Sequence, residues 1–264
     1  MEDSHIAKFN IAPDIHLFAV FDGHRGKEVA LYVEKHFVDL LLANESFKKG
    51  DYKHALKDTF MHIDELIKRP KHKKELLELK KENEHPELLA EEEDETNAGC
   101  TACVALIAKG ELYVGNAGDS RCVVCCDGKA IAMNYDHKLE IREEQERIII
   151  AGGFIKKGRV NGRLNLTRAL GDVQFKENPD LEPHEQIISG VPDVTRRKLT
   201  EADEFIVVGC DGIWGGLTNQ AVVDFIRKRN KDVTPLSKII EELLDRILAP
   251  DMKSNLLFLR LLTH

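Results

Sequence analysis

The chain has 264 residues and a formal net charge of −8 at pH 7, and this excess of acid argues against a nucleic acid as a partner. Its length allows one large domain with a sizeable hydrophobic core. No apolar run approaches about 18 residues and no signal peptide precedes the acidic start, so we expect a soluble cytoplasmic protein, with the nucleus as an additional compartment, that does not bind membranes.

The first half of the chain predicts a buried strand, two helices and a charged segment. Residues 18–21 (FAVF) form a short apolar run that is typical of a buried strand. Apolar residues recur at helical spacing over 27–43, and a second helical pattern covers 52–67. The segment 68–96 is dominated by charge and ends in EEEDE at 91–95. We expect it to be a charged insert, a solvated helix extension followed by a mobile acidic loop.

The second half predicts four more strands and three helices. Residues 101–126 contain three short strands, the first two of which are joined by a hairpin turn at 109–110, and residues 205–209 are a further buried strand. Helical patterns cover 140–151, 220–229 and 236–248, and Gly152 and Gly153 end the first of these. No internal repeat or proline-rich linker interrupts the pattern. Periodicity therefore predicts a single mixed α and β domain over residues 1–264.

The chain has six cysteines but lacks the character of a small secreted domain, so we expect their thiols to be reduced. Cys100 with Cys103, and Cys122 with Cys125, have spacings that superficially match a zinc ribbon. Both pairs lie in predicted strands, where residues i and i+3 point to opposite faces, so neither pair can hold one metal ion. We therefore favour buried structural thiols over zinc ligands.

Acidic residues follow three predicted strands that are far apart in sequence. Asp22 and Asp211 each stand in an Asp-Gly turn after an apolar run, Asp119 follows a third strand, and Glu2 and Asp3 add two acids near the start. An Asp-Gly pair alone is more often a simple strand-ending turn. If the strands are neighbours, however, the carboxylates converge and repel unless a cation neutralises them. Oxygen ligands favour Mg²⁺ or Mn²⁺ over Zn²⁺, so the sequence predicts a site for two such ions.

Seven segments, in this order, resemble the metal-dependent protein phosphatases of type 2C, which remove phosphate from phosphoserine and phosphothreonine. They are MEDSH (1–5), FAVFDGH (18–24), GCTA (99–102), GNAGDSR (115–121), DHK (136–138), LNLTRALGD (164–172) and CDGIW (210–214). Each segment alone is a weak signal, but seven in the family's order are a strong one. The resemblance implies an α+β fold in which two antiparallel β-sheets pack as a sandwich with helices on both sides.

The resemblance also implies which residues hold metal ions. Asp22 would bridge two Mg²⁺ or Mn²⁺ ions, the carbonyl of Gly23 would bind one of them, and Glu2 and Asp211 would bind the other. Asp119 would belong to a looser third site.

The same resemblance implies how phosphate is removed from phosphoprotein substrates. A metal-activated water would attack the phosphate directly, so no phosphoenzyme would form. Asp3 would orient the water without binding a metal. His24 would protonate the leaving seryl or threonyl oxygen, a role that suits the near-neutral pKa of a histidine. The oligomeric state is not predicted.

Other residues in these motifs have simpler structural explanations. Arg168 and Asp172 are expected to form an ion pair that locks the sheet beside the site. His5 and His137 are more often structural hydrogen-bonding groups than ligands. Trp214 most simply packs in the core behind the neighbouring Asp-Gly turn.

Three departures from the family pattern favour a second hypothesis. The family carries a phosphate-gripping arginine and a first strand before the segment that opens this chain. Ser254 stands where a metal-binding aspartate is expected, and Gly215 stands where an aspartate often helps to hold the third metal. The alternative to an active phosphatase is therefore a truncated or degenerate phosphatase domain with weak or no activity. Such a domain would bind phosphoproteins or regulate a partner.

Overall fold

The structure is a computed structural model that describes residues 2–83, 97–230 and 234–248. Within these ranges the strands are β1 (Ser4–Ala12), β2 (Ile15–Phe21), β3 (Gly23–His24), β4 (Gly99–Cys100), β5 (Ala102–Ala108), β6 (Glu111–Ala117), β7 (Arg121–Cys126), β8 (Lys129–Ala132), β9 (Ile155–Lys156), β10 (Arg159–Val160), β11 (Leu170–Gly171), β12 (Asp193–Lys198) and β13 (Asp203–Gly209). The helices are α1 (Glu28–Ala43), α2 (Glu45–Lys48), α3 (Tyr52–Ile67), α4 (Pro70–Asn83), α5 (Arg142–Ile150), α6 (Asp211–Trp214), α7 (Asn219–Asn230) and α8 (Leu236–Ile247).

The strands form antiparallel sheets of different size. The large sheet has the order β1-β2-β5-β6-β12, and the small sheet has the order β13-β7-β8. A third sheet of very short strands, β11-β4-β3, will be called the site sheet, and β9 pairs with β10 in a separate hairpin. In the centre of the large sheet Ala19 lies opposite Val104, which in turn lies opposite Gly115.

Alternate residues of the central strands face two different hydrophobic clusters. On β5, Val104 packs with residues of α1 and α3, whereas Ala105 packs in the cluster between the two larger sheets. On β7, Val124 joins that same inter-sheet cluster, whereas Val123 packs with α7 and α8. Because side chains alternate along a strand, the layers follow the order helices, large sheet, small sheet, helices. The predicted α+β sandwich is confirmed.

Apolar side chains attach the outer helices to the sheets. Phe37 of α1 and Phe60 of α3 are fully buried above the large sheet, with ring centroids 5.5 Å apart and perpendicular planes. Phe225 of α7 and Leu243 of α8 are buried against the small sheet. Each such side chain stabilises the fold by about 1.5–3 kcal/mol through burial alone. No helix within the described ranges combines the length and the apolar character needed to cross a bilayer.

The segment predicted to be charged contains a packed helix. α4 begins at Pro70 as a helix separate from α3. Its His72 Nδ1 lies 2.7 Å from the hydroxyl of Tyr32 on α1, and its Leu76 is fully buried. The helix therefore packs against α1 and is not merely a solvated extension of α3. Residues 84–96, which include the acidic run, lie outside the described residues.

Candidate metal centre

Asp22 directly follows β2, where hydrogen bonds join it to Thr101 and the neighbouring Gly23 lets the start of the chain approach. The N–H of Asp22 donates to Oγ1 of Thr101 at 3.4 Å, and the N–H of Thr101 donates to the carbonyl of Asp22 at 2.9 Å. Gly23 is needed because a Cβ there would lie 2.3 Å from the carbonyl oxygen of Glu2. The close approach that glycine allows places Glu2 beside Asp22.

Carboxylates converge on Asp22, as the sequence predicts. Burial, followed by the negative charges of Asp3, Asp211 and Asp119, raises the pKa of Asp22 from 3.8 to about 8. Asp3 also forms a hydrogen bond with the side chain of Asp22. Asp211, the first residue of α6, retains exposed surface, yet desolvation and the charge of Asp3 raise its pKa as well.

Asp119 forms the more buried end of this acidic cluster. Burial and then the charge of Asp211 raise the pKa of Asp119 to about 6. Lys138 acts in the opposite direction, since its Nζ lies 3.4 Å from Oδ2 of Asp119 and 3.2 Å from Oδ2 of Asp136. Lys138 therefore neutralises part of the charge on the Asp119 side of the cluster.

The chemistry of this donor set fits Mg²⁺ or Mn²⁺. The available groups are oxygens, which are the ligands that hard divalent cations prefer. In the part of the chain that the structure describes, no three Asp, Glu, His or Cys side chains surround one point as a complete ligand set. Mg²⁺ usually keeps several waters and needs only one or two carboxylates. A cation would also relieve the repulsion that raises the pKa of Asp22.

His24 is paired with Asp172 across the site sheet. His24 on β3 lies opposite Gly99 on β4, and Gly171 on β11 lies opposite the same glycine from the other side. A Cβ at Gly99 would come within 2.3 Å of Oδ2 of Asp172 and 2.6 Å of Nε2 of His24. Because Gly99 has no side chain, the two groups meet over it, with Nε2 of His24 2.6 Å from Oδ2 of Asp172.

The predicted ion pair between Arg168 and Asp172 is therefore wrong. Arg168 donates from Nη2 to Oε1 of Glu144 at 2.6 Å and from Nη1 to Oδ1 of Asp193 at 3.1 Å. The backbone adopts left-handed conformations at Gly171 (φ 77°) and Asp172 (φ 47°). This turn directs the carboxylate of Asp172 to His24 rather than to Arg168.

A buried ion pair supports the turn that carries Asp172. Lys176 donates from Nζ to both carboxylate oxygens of Asp64 at 2.8 Å and to the carbonyl of Ala169 at 2.7 Å. Oδ1 of Asp64 also accepts a hydrogen bond from the N–H of Gly171 at 2.8 Å. Helix α3, which carries Asp64, is thereby connected to the strand that precedes Asp172.

Most of the predicted site residues line one cleft of about 540 Å³. The predicted residues among its walls are Glu2, Asp22, Gly23, His24, Asp119 and Asp211. Asp3 is not part of the wall and acts on the cleft through Asp22. Three arginines that none of the predictions names line the same cleft: Arg25, Arg159 and Arg163. The sequence contains a signal for two of them, because residues 151–166 contain four basic residues and no acidic one.

The other motif residues are mostly structural. His137 is buried, where its Nδ1 accepts from the N–H of Gly118 at 3.1 Å and its Nε2 lies 3.0 Å from Oδ2 of Asp193. Trp214 is buried with α7 and α8 and donates from Nε1 to the carbonyl of Gly209 at 2.7 Å. The structural explanations of both residues are confirmed. His5 is exposed on β1.

Two positions of the chain, Gly215 and Ser254, depart from the family pattern. Gly215 ends α6 with φ −70° and is exposed. Its backbone is ordinary right-handed helix, so an aspartate there would not strain φ, but its Cβ would lie 3.1 Å from the carbonyl oxygen of Asp211. Ser254 lies outside the described residues.

The four cysteines of the two C-x-x-C pairs are free and buried. Cys100 packs with α1 and α3, whereas Cys103 packs between the sheets. Cys122 packs between the sheets, whereas Cys125 packs with α7 and α8. Strand alternation therefore splits each pair between two clusters, as predicted. Burial raises the pKa of all four thiols, that of Cys122 to about 12.

Comparisons with known proteins agree on one family. The family model for "Protein phosphatase 2C" matches residues 1–256. "Probable protein phosphatase 2C 3" of Paramecium tetraurelia is 49% identical over 255 residues, which cover 95% of this chain and 82% of that protein. "Probable protein phosphatase 2C 21" of Arabidopsis thaliana is 39% identical over 277 residues, which cover 95% of this chain and 78% of that protein.

A solved structure supports the fold independently. The serine-threonine phosphatase 2C from Toxoplasma gondii is similar with a TM-score of 0.73 at 20% identity, and the match covers 93% of this chain and 84% of that chain. Similarity at this identity speaks for the fold alone. Together with the sequence matches, it shows that the chain belongs to the protein phosphatase 2C family of protein serine/threonine phosphatases.

Proposed function

We propose that this phosphatase hydrolyses phosphoserine and phosphothreonine by direct attack of water at a two-metal site around Asp22, without a phosphoenzyme. The observation that carries the proposal is the carboxylate of Asp22, whose pKa is raised to about 8 by burial and by its acidic neighbours. It shares one cleft with His24, which is paired with Asp172. Strongly perturbed carboxylates in a cleft are typical of functional sites.

The acidic residues have distinct roles in the proposed site. Asp22 would contact both cations, Gly23 would offer its carbonyl to one, and Glu2 and Asp211 would serve the other. Asp119 would hold a third, weaker ion. When bound, the cations would lower the pKa of a water molecule and attract the phosphate oxygens.

The remaining residues of the proposed site handle water and the proton. Asp3 would hold water near Asp22, to which it is already hydrogen-bonded. Oδ2 of Asp172 holds Nε2 of His24 at 2.6 Å, so Nδ1 is the ring nitrogen that can donate a proton to the leaving oxygen. General acid catalysis of this kind typically raises the reaction rate by a factor of about 10²–10⁴.

Rapid-quench, single-turnover hydrolysis of a ³²P-labelled phosphothreonine peptide tests the direct attack of water. With Mn²⁺ and enzyme in excess, we expect the label to pass from the peptide to inorganic phosphate, with no labelled protein chain after either an acid or an alkaline quench. A ³²P-labelled protein chain that forms and decays at the rate of phosphate release would contradict the proposal.

The degenerate phosphatase domain is the second candidate, and Ser254 and Gly215 favour it because neither supplies a carboxylate. Such a protein would bind the phosphothreonine peptide with no release of phosphate at any Mn²⁺ concentration. Fluorescence anisotropy of a labelled peptide, measured beside phosphate release, separates the two candidates. Binding together with turnover supports the active enzyme, and binding without turnover supports the degenerate one.

A further inference from the structure

A basic segment borders the cleft of an acidic protein. Residues 151–166 contain four cations and no acid, in a chain whose net charge is −8. The four cations, here called the basic hairpin, are Lys156, Lys157, Arg159 and Arg163. Arg159 and Arg163 line the cleft together with Arg25. Lys156 and Lys157 do not line the cleft and so extend the positive charge beyond its rim.

The turn of the basic hairpin places its cations on one surface. β9 and β10 are joined by Lys157 and Gly158, with φ values of 53° and 69°. Two positive φ values in a two-residue loop are the conformation that joins twisted strands most directly. Lys156 lies directly opposite Arg159 in the hairpin. Residues opposite each other on antiparallel strands share a face, so Lys156 continues the surface that Arg159 begins.

Two buried residues hold the basic hairpin in place. Val160 and Leu164 are buried in a hydrophobic cluster with Ile148 of α5. The N–H of Val160 donates to the carbonyl of Leu164 at 2.7 Å, and the N–H of Leu164 donates back at 3.2 Å. Arg159 and Arg163 directly precede these anchors and are both exposed. Arg159 also donates from Nη1 to the carbonyl of Arg163 at 2.8 Å, which joins the two positions.

Among the residues that the structure describes, Arg25 and the basic hairpin have no acidic partner. Arg121, by contrast, is paired with Asp136 at 2.6 Å, as is typical of a structural arginine. Arg25 is held with φ 59° and lies 5.9 Å above the ring of Phe175. A left-handed backbone costs free energy in a residue other than glycine and often marks a functional position.

The number and spread of these charges exceed what one phosphate group needs. We propose that the basic hairpin and Arg25 select phosphoprotein substrates that carry aspartate or glutamate beside the phosphorylated residue. This proposal rests on the proposed function, because the phosphate must lie at the acidic cluster for the flanking residues to reach the cations. Carboxylates would then contact Lys156, Lys157 and Arg163, which attract negative side chains by charge complementarity.

Matched phosphothreonine peptides test the proposal. One peptide carries aspartate and glutamate on both sides of the phosphothreonine, and the other has alanine and serine at the same positions. With Mn²⁺ at low salt, we expect kcat/KM to be about tenfold higher for the acidic peptide. The preference should shrink when the ionic strength is raised to about 0.5 M, because salt screens exposed charges.

Charge reversal identifies the surface responsible. In Lys156→Glu/Lys157→Glu the ratio of kcat/KM for the acidic and neutral peptides should fall to about one. Arg163→Gln should lower the ratio by a smaller factor and provides a second variant if the first folds poorly. The control Lys53→Glu/Lys57→Glu changes two exposed lysines of α3 and should keep the wild-type ratio.

Two results would overturn the proposal. They are equal kcat/KM for both peptides in the wild type, or an unchanged ratio in the hairpin variants. An unchanged ratio with equal losses on both peptides would mean that the cations bind only the phosphate. If the wild type hydrolyses neither peptide, the proposed function fails. Binding of the two fluorescently labelled peptides, measured by anisotropy, then tests the preference for acidic substrates. Tighter binding of the acidic peptide that Lys156→Glu/Lys157→Glu abolishes would support it, and equal binding would overturn it.

Discussion

Among the carboxyl groups of the described residues, Asp22 has its pKa raised furthest. Its pKa is raised from 3.8 to about 8. Between about pH 4 and pH 8 the folded protein therefore holds a proton at Asp22 that the unfolded chain releases. Because the folded state binds more protons in this window, the free energy of unfolding falls as the pH rises through it.

Replacing Asp22 should remove this loss of stability at high pH. In the presence of a chelator at pH 8, Asp22→Asn should raise the Tm by a few degrees and flatten the dependence of Tm on pH between about 4 and 8. In excess Mn²⁺ the order should reverse, because ligand binding stabilises only the wild type. The control is Asp245→Asn, at an exposed position of α8. A wild-type Tm that rises with pH in the chelator would contradict the account of Asp22.

His24 should matter most when the leaving group needs a proton. In His24→Gln, we expect kcat for a phosphothreonine peptide to fall by about 100-fold or more, with a much smaller loss on p-nitrophenyl phosphate, whose leaving group needs little protonation. Asp172→Asn should show the same selectivity with a smaller loss, because it disturbs the 2.6 Å contact that orients the ring. His184→Gln, at an exposed site, should change neither rate. Equal losses on both substrates would make His24 structural.

At the scale of elements, the sequence predicts the helices and strands whose apolar residues form a clear run or recur with a regular period. The helix predicted over 52–67 coincides with α3, and the three strands predicted within 101–126 are β5, β6 and β7. β1 was missed because most of its residues are exposed. The site sheet was missed for another reason: its strands are two residues long and carry no periodicity.

The pairing of His24 with Asp172 could not be predicted from local patterns. The two residues are 148 positions apart, and their contact depends on Gly99, which neighbours neither of them in sequence. The convergence of Asp22, Asp119 and Asp211 could be predicted, because each one follows a strand. The cations of the cleft lie in a hairpin and a turn, where side-chain direction is decided by φ values that the sequence does not display.

The buried pair of Lys176 and Asp64 should be a major support of the site sheet. Lys176→Met leaves the carboxylate of Asp64 buried without its cation, and we expect a loss of about 3–5 kcal/mol in the free energy of unfolding. The matched control is Lys68→Met, which breaks the more exposed pair of Lys68 and Glu65 and should cost less than about 1 kcal/mol. Urea unfolding measures both. Similar small losses would show that the buried pair adds little.

The thiols should be structural and free of zinc. Each C-x-x-C pair is split between two hydrophobic clusters, so the purified protein should contain no zinc by elemental analysis. Cys100, Cys103, Cys122 and Cys125 should react with a thiol reagent only on unfolding, because they are buried. One zinc per chain that is lost in Cys100→Ser/Cys103→Ser would contradict this account.

At the scale of the whole molecule, the sandwich places the acidic cluster and the cations of the cleft side by side. The acids precede or follow strands of the large sheet or open α6, whereas most of the cations belong to the hairpin beside α5. The two groups of charge therefore come from separate parts of the fold. One would attract metal ions and the other the acidic side chains of a substrate.

The metal dependence of the activity should reveal whether Ser254 stands at a ligand position. If Ser254 occupies a ligand position, one ion has lost a carboxylate and should bind weakly, so activity should demand elevated Mn²⁺ or Mg²⁺. Ser254→Asp should then lower the metal concentration at half-maximal activity by about tenfold. An identical metal dependence in the two proteins would show that Ser254 does not take the place of the aspartate.

The most direct test of the two-metal site is a titration of Mn²⁺ against phosphate release from a phosphothreonine peptide, for the wild type and Asp22→Asn. The wild type should be inactive in excess chelator and should gain activity to a plateau as Mn²⁺ rises, because the cations supply the activated water. Asp22→Asn should stay inactive over the same range while remaining folded by circular dichroism. Chelator-resistant hydrolysis by the wild type, or the same Mn²⁺ dependence in Asp22→Asn, would contradict the central claim that Asp22 holds the catalytic metal ions.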